Sequence, residues 1–433
     1  MQNRLYMGID FRAPVYLIMT SPVLTRLNYD PQRQPDPYVP GTGRPDNWVL
    51  RCYSSVYVPD KLTSLFLMVS LLFACHKSVG QRIETASKPY TFNWTRIADS
   101  SSNALDTQFF NKEGRYYNAS SIGSTKFNYW PQAHALDVLV DAYTRTKDSR
   151  YLAHMNDWFL GVPVKNGNTF LNTYYDDMLW NALAMLRAYD ATKDKKWLDA
   201  TLALWEDIKL GWNDEQGGGI AWQKKQLSYK NTPANAPAVI LAARLYQRLN
   251  NRSADLEWAK KIYAWQLKTL VDPATGFVYD GINRQNDGKI DTGWKFTYNQ
   301  GLMIGAGLEL FRATKIDTYL KDAMKTANFT IADPVLAPSG LLKAEGNGDG
   351  GLFKAVLVRY LALLATEPAV PADIRTRYVG FLTTNAETLW RSGTQKPAVV
   401  FGPNWASQPA DGKAELTTQL SGATLLEAMT RLK

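Results

Sequence analysis

The sequence predicts an all-α fold, a closed toroid of six helical hairpins. Three observations point to it. About twelve segments carry apolar residues at helical spacing. The turns between them repeat a short pattern with a period of about fifty residues. Strand signals are scarce, with Gly219-Ile220-Ala221-Trp222 the stretch able to pair briefly. Such hairpins either stack along a line as an open solenoid or curl into a ring of inner and outer helices. The helix number and the long Gly-rich loops favour the ring.

The predicted helices run Asn103 to Phe110, Trp130 to Thr146, Arg150 to Leu160, Tyr175 to Ala191, Lys196 to Lys209 and Asn235 to Leu249. They continue with Asp255 to Val271, Asn299 to Ala313, Thr318 to Ile331, Leu352 to Ala365, Ala372 to Arg391 and Thr417 to Leu432. Each long apolar helix precedes a short turn and a more amphipathic partner. Asp141-Ala142-Tyr143-Thr144-Arg145-Thr146-Lys147-Asp148 resembles Arg187-Ala188-Tyr189-Asp190-Ala191-Thr192-Lys193-Asp194, and Leu310 to Lys315 is a third copy. Tyr151-Leu152, Trp197-Leu198 and Tyr319-Leu320 open the helices that follow.

The 433 residues allow one large domain or several ordinary ones. Residues 1–60 are rich in Pro, Tyr and Arg, lack periodicity and are expected to be disordered. Residues 61–75 read as a signal segment: Lys61 precedes the apolar run Leu65 to Ala74, too short for a membrane span, which ends at Cys75. Leu72-Phe73-Ala74-Cys75 resembles the bacterial lipobox, whose cysteine is lipidated. Signal segments stand at the N-terminus, so the true start is expected downstream of the first sixty residues. Residues 76–93 read as a linker and 94–433 as the catalytic domain. Cys52 and Cys75 are the two cysteines, so a chain matured at Cys75 keeps no thiol for disulfides or metal sites. His76, His134 and His154 are too scattered for a metal cluster.

The formal charge of +9 is spread along the chain, so no nucleic-acid face is predicted. No P-loop, dinucleotide fingerprint or Gly-x-Ser-x-Gly elbow occurs. Asn283, Gln285, Asp287, Gly288 and Asp291 loosely follow a calcium loop without its first Asp and closing Glu, and no cofactor is predicted.

The candidate chemistry sits at Leu171 to Trp180, where an aromatic loop turns into an apolar helix. Asp176 and Asp177 can serve there as cap and dipole partner. Tyr174, Tyr175 and Trp180 supply flat faces for sugar, however, and paired carboxyls are what glycosidic cleavage needs. Three further segments precede inner helices. Gly217-Gly218-Gly219-Ile220-Ala221-Trp222 offers close backbone approach and a stacking ring. Trp294 to Gly301 crowds Thr297, Tyr298, Asn299 and Gln300 at one helix start, and Asp349-Gly350-Gly351-Leu352-Phe353-Lys354 opens another. In a ring these starts converge on one rim, around Asp176 and Asp177.

In this order, Tyr-Tyr-Asp-Asp-Met-Leu-Trp, Gly-Gly-Gly-Ile-Ala-Trp, Thr-Tyr-Asn-Gln-Gly and Asp-Gly-Gly-Leu-Phe-Lys resemble glycoside hydrolase family 76, over about Trp94 to Lys433. The resemblance implies an (α/α)6 barrel and endo-acting, retaining hydrolysis of α-1,6-mannan of the fungal cell-wall type. It implies Asp176 as nucleophile and Asp177 as general acid/base. Neighbouring side chains can reach the roughly 5–5.5 Å that a retaining pair needs, but the sequence leaves open which carboxyl has the raised pKa. Tyr175, Trp180, Trp222, Thr297, Tyr298, Asn299, Phe353 and Lys354 are the expected substrate contacts. A monomer in a bacterial envelope, held by lipid at Cys75, is expected. The alternatives are a non-catalytic glycan-binding solenoid and another toroidal glycosidase or lyase.

Overall fold

A computed structural model describes residues 90–432. The expectations for residues 1–60, for the signal segment, for Cys75 and for most of the linker lie outside the described residues. Twelve α-helices make up the described chain. They are α1 (Trp94–Phe109), α2 (Tyr129–Thr146), α3 (Ser149–Lys165), α4 (Tyr175–Thr192), α5 (Lys195–Lys209) and α6 (Thr232–Arg248). Then follow α7 (Ser253–Leu270), α8 (Thr297–Thr314), α9 (Asp317–Ala332), α10 (Gly350–Ala365), α11 (Ala372–Thr388) and α12 (Leu416–Met429). No helix among the described residues is long and apolar enough to cross a membrane.

The even-numbered helices form the inner ring. Each packs on the next, and α12 packs back onto α2, so the ring closes and the open solenoid is excluded. Their sequences dictate the position. In α12 every residue from Leu416 to Met429 is buried, and in α2 every residue from Tyr129 to Ala142. A helix apolar all round must be enclosed. The odd-numbered helices bury one stripe each; in α5 it is Trp197, Thr201, Leu204, Trp205 and Ile208. Short strands edge the loops: β1 (Phe110–Asn111) pairs with β2 (Tyr116–Tyr117), β4 (Gln226–Asn231) lies between β3 (Ala221–Gln223) and β5 (Gly281–Ile282), and β6 (Thr394–Gln395) pairs with β7 (Val400–Phe401).

The repeated turn has a physical explanation. Lys147, Lys193 and Lys315 each end an inner helix in the left-handed conformation, at φ 59°, 60° and 61°. The threonine before each donates to the carbonyl four residues back, at 2.8, 2.8 and 2.7 Å. Its oxygen then accepts from the amide two residues on, at 3.1, 3.2 and 3.2 Å. The lysine folds over the preceding aromatic, with Nζ 5.2 Å from the Tyr143 ring and 5.3 Å from Tyr189. Asp148 and Asp194 cap the outer helix that follows.

Two boundaries differ from expectation. α1 starts at Trp94, where Asn93 caps it by accepting from the Arg96 amide at 3.1 Å, rather than at Asn103. Its buried face includes Ser101 and Ser102, and Ser102 donates to Glu427 at 2.9 Å, so no apolar stripe advertises it. At the other end, α11 gives way to a wider turn over Leu389–Gly393.

The inner helices are also tied by charge at their C-terminal halves. Arg187 of α4 pairs with Asp137 and Asp141 of α2. Asp141 also meets Arg359 of α10 at 3.0 Å and Arg431 at 2.8 Å. Arg244 of α6 meets Glu309 of α8 at 2.9 Å. Burial opposes the charge on Asp141, but Arg187, Arg431 and Arg359 hold its carboxyl far below the usual range. Removing one partner of such a cluster leaves buried charge uncompensated. Arg187→Met is therefore expected to cost about 3–5 kcal/mol in urea unfolding at pH 7. A loss below about 1 kcal/mol, the surface-pair range, would show that Arg359 and Arg431 suffice.

Candidate active site

The N-terminal ends of all six inner helices are knitted into the opposite rim. Asp176 and Asp177 occupy the first turn of α4. Trp222 on β3 donates its indole N–H to Asp176 Oδ2 at 3.0 Å. Asp280, just before β5, accepts from Tyr298 (2.7 Å) and Asn299 (3.0 Å) of α8, and from Tyr229 of β4, which leads into α6 (3.2 Å). Trp130 of α2 donates to Asp349, at the head of α10, at 2.8 Å. The Gly348 amide reaches Glu415, which precedes α12, at 2.6 Å. The rim thus carries five carboxylates, Asp176, Asp177, Asp280, Asp349 and Glu415, with helix N-termini supplying positive potential behind them.

The two aspartates of α4 are half-buried and differ in their surroundings. Burial pushes Asp176 up to about 7. Hydrogen bonds from the Asp177 amide (3.0 Å) and from Trp222 oppose this by favouring its ionised form, while Asp280 adds to the rise. Burial likewise raises Asp177, and the charges of Asp176 and Asp349 drive it well above the ordinary carboxylate range. No side-chain donor among the described residues reaches the Asp177 carboxyl. The pair shares its titration. The sequence leaves the order open; the two donors favour the anion of Asp176, and Asp177 has no such side-chain donor among the described residues.

Several sequence expectations are redirected. Trp222, expected to stack on sugar, is half-buried at the rim with Tyr174 at 5.1 Å and Tyr229 at 5.7 Å beside its ring, and its N–H binds Asp176. Gly218 and Gly219 do not bring backbone to a ligand. They adopt φ of 129° and 89°, and a Cβ on Gly219 would lie 2.8 Å from the Trp265 ring. Lys354 was expected at the substrate; it is 1% exposed, bonded to the Pro403 carbonyl and 4.2 Å from the Trp405 ring. Thr297 is buried and binds Glu345 through amide and hydroxyl. Asn299 is buried behind Asp280. Tyr175 is buried against Gly211 and Ile220, and Trp180 is buried against Trp130 and His134. These four support the rim from beneath. Tyr298 and Phe353 are partly exposed and stack at 3.9 Å. In the suspected calcium loop, Asn283 accepts from the Gly288 amide and Asp291 pairs with Arg284 at 3.0 Å.

Sequence reasoning missed Asp280, Glu345 and the partnership of Trp130 with Asp349. An isolated acid between Tyr279 and Gly281 carries no paired signal. Its role emerges only when donors from two other segments, α8 and β4, meet on it.

The model of glycosyl hydrolase family 76 matches residues 96–432. The alpha-1,6-mannanase of Salegentibacter sp. HEL1_6 is 43% identical, with a TM-score of 0.76, over 79% of this chain and 100% of that chain. An inactive variant of that mannanase, with two aspartates replaced by asparagine, was solved with alpha-1,6-mannotriose. A mannan endo-1,6-alpha-mannosidase of Candida glabrata is 28% identical over 358 residues, 73% of this chain and 77% of the relative. A family 76 mannosidase of Bacteroides thetaiotaomicron, at 20% identity, shares the (α/α)6 fold with a TM-score of 0.67 over 79% of this chain and 98% of that chain.

The raised pKa values have a cost in stability. Below pH of about 4 the carboxyls are protonated in both folded and unfolded chains and contribute nothing. As pH rises past that value the unfolded chain ionises while the folded one holds its protons, so stability falls towards neutral pH. Asp177→Asn should accordingly raise the thermal midpoint at pH 7 by about 2 °C or more. The gain should shrink to nothing as pH falls to about 4. A midpoint lowered at pH 7 would contradict the raised pKa.

Proposed function

Because this chain belongs to glycosyl hydrolase family 76, a premise fixed by the match over residues 96–432, we propose that it cleaves internal α-1,6-mannosidic bonds of mannan with retention of configuration. Asp176 is the nucleophile and Asp177 the general acid/base. The observation that carries this reading is the unequal environment of two adjacent carboxyls. One is hydrogen-bonded as an anion by an amide and an indole; the other is kept protonated by burial and by its charged neighbours.

In the first half-reaction an Asp176 oxygen attacks the anomeric carbon. The C1–O6 bond breaks, and its electron pair leaves on O6, which takes the Asp177 proton. The product is a mannosyl ester of Asp176. In the second half-reaction water attacks the same carbon, gives its proton to Asp177, and the ester pair returns to Asp176. Two inversions give net retention. Tyr298 and Phe353 offer the exposed aromatic surface for the mannan, and Asp280 and Asp349 offer acceptors for its hydroxyls. The identity to the Salegentibacter mannanase, solved with mannotriose as its inactive form, supports the substrate class.

Debranched α-1,6-mannan incubated with the wild type should yield mannose oligomers whose new reducing ends appear first as the α-anomer by proton NMR. Asp177→Asn should be slower by about 10²–10⁴-fold, and Asp176→Asn by at least as much. First-formed β-anomers would reject retention. Binding of mannan without hydrolysis by the wild type would reject the enzymatic reading.

We also propose that the enzyme acts as a monomer on a bacterial envelope, held by a lipid on Cys75. The apolar run Leu65 to Ala74 and the Leu-Phe-Ala-Cys match support this. Cys75→Ala should move the enzyme from the membrane pellet to the soluble fraction of lysed cells. An unchanged pellet fraction would remove the anchor from the account.

A further inference from the structure

We propose that Trp222 is a positioning residue for the nucleophile, its indole N–H holding Asp176 Oδ2 so that the carboxylate departs readily from the sugar in the second half-reaction. The proposal rests on the catalytic roles given above.

The indole is placed by a rigid frame. Tyr174 and Tyr229 flank its ring, and the Tyr174 backbone bridges to Gln223 next to it. The Ala221 amide donates to the Gly211 carbonyl at 2.9 Å. The buried Lys230 ammonium donates to the Gly219 carbonyl at 2.7 Å, fixing the loop that leads into β3. The group Trp222 directs at Asp176 is its N–H. Asp176 is therefore gripped at both oxygens, Oδ1 by the Asp177 amide at 3.0 Å and Oδ2 by Trp222 at 3.0 Å.

A donor aimed at a carboxylate is worth more when the carboxylate is charged. Asp176 is ionised in the form of the free enzyme that attacks, and it carries part of that charge in both oxocarbenium-like transition states. In the mannosyl ester it is neutral and a weaker acceptor. The indole therefore favours the transition state for ester breakdown over the ester itself, and its removal lengthens the life of the intermediate. The same bond acts on the free enzyme. The groups facing the pair are Asp177 on α4, Asp280 before β5, Tyr229 on β4, Tyr298 on α8, Asp349 before α10 and Tyr129 on α2. Among these neighbours Trp222 favours the anion and Asp280 opposes it.

The test uses an aryl α-mannoside whose good leaving group makes ester breakdown limiting. Trp222→Phe should lower kcat by about 10–100-fold and lower KM with it. The burst of aryl alcohol equal to the enzyme present, which limiting ester breakdown gives in the wild type as well, should be followed by a steady phase slower by the same factor. The acid limb of kcat/KM should move to higher pH, whereas Asp280→Asn should move it lower. Trp222→benzothienylalanine keeps the two-ring shape without the N–H and must behave as Trp222→Phe does, which guards against misfolding of the smaller variant. Wild-type kcat and KM, with an unmoved limb, in the benzothienyl variant would overturn the proposal while Asp176→Asn remained inactive. Activity surviving in Asp176→Asn would instead overturn the catalytic reading on which it stands.

Discussion

Closure of the inner ring, α12 against α2, is the constraint on which the rest depends. Six helices that must be buried on all sides can be so only by surrounding one another. Once they do, their N-termini share one rim and their C-terminal halves share the other. The loops before α4, α6, α8, α10 and α12 then have no choice of company. Trp222, Asp280 and Asp349 come from segments far apart in the chain, and ring geometry brings them beside Asp176 and Asp177.

The two rims handle charge in opposite ways. At the C-terminal rim Asp137, Asp141 and Glu309 are buried against arginines, whose attraction exceeds the burial penalty and keeps them ionised. At the N-terminal rim Asp176, Asp177 and Asp280 are raised because burial and like charge exceed what hydrogen bonds return. The helix ends favour negative charge there, yet that contribution is a fraction of a kcal/mol to about 2 kcal/mol per group. Desolvation of a carboxyl can exceed it. A site that needs one acid held protonated beside an anion is built by withholding cations.

Much of this was legible in the sequence. Twelve periodic segments gave the helices, and the Thr-Lys turns gave the hairpins. The Asp-Asp within an aromatic frame located the rim. The unseen parts have physical reasons. The first nine residues of α1 bury Ser101 and Ser102 alongside Ile97 and Ala98, with Ser102 donating to Glu427, so serines interrupt their apolar stripe. Thr297 and Asn299 stand in a motif that sits at the cleft, but their side chains point into it from below, and a motif does not say which way its residues face. Lys354 illustrates the same limit: its charge suggested a ligand, whereas a carbonyl and an indole face hold it inside. Asp280 is joined to Tyr298 and Asn299 of α8 and to Tyr229 of β4, and no local pattern connects it to either segment.

The repeated Thr-Lys turn has one more consequence. Within about eight residues it terminates one helix, houses its lysine on the preceding aromatic and, in two of its three copies, caps the next helix with its own aspartate. The hydrogen bonds that end the helix and fix the turn all lie within that unit. The hinge geometry is therefore local, and the rings of side chains around it can be rewritten without retuning it. That is the property a building block needs to be copied within one chain while the rim it supports is reshaped copy by copy.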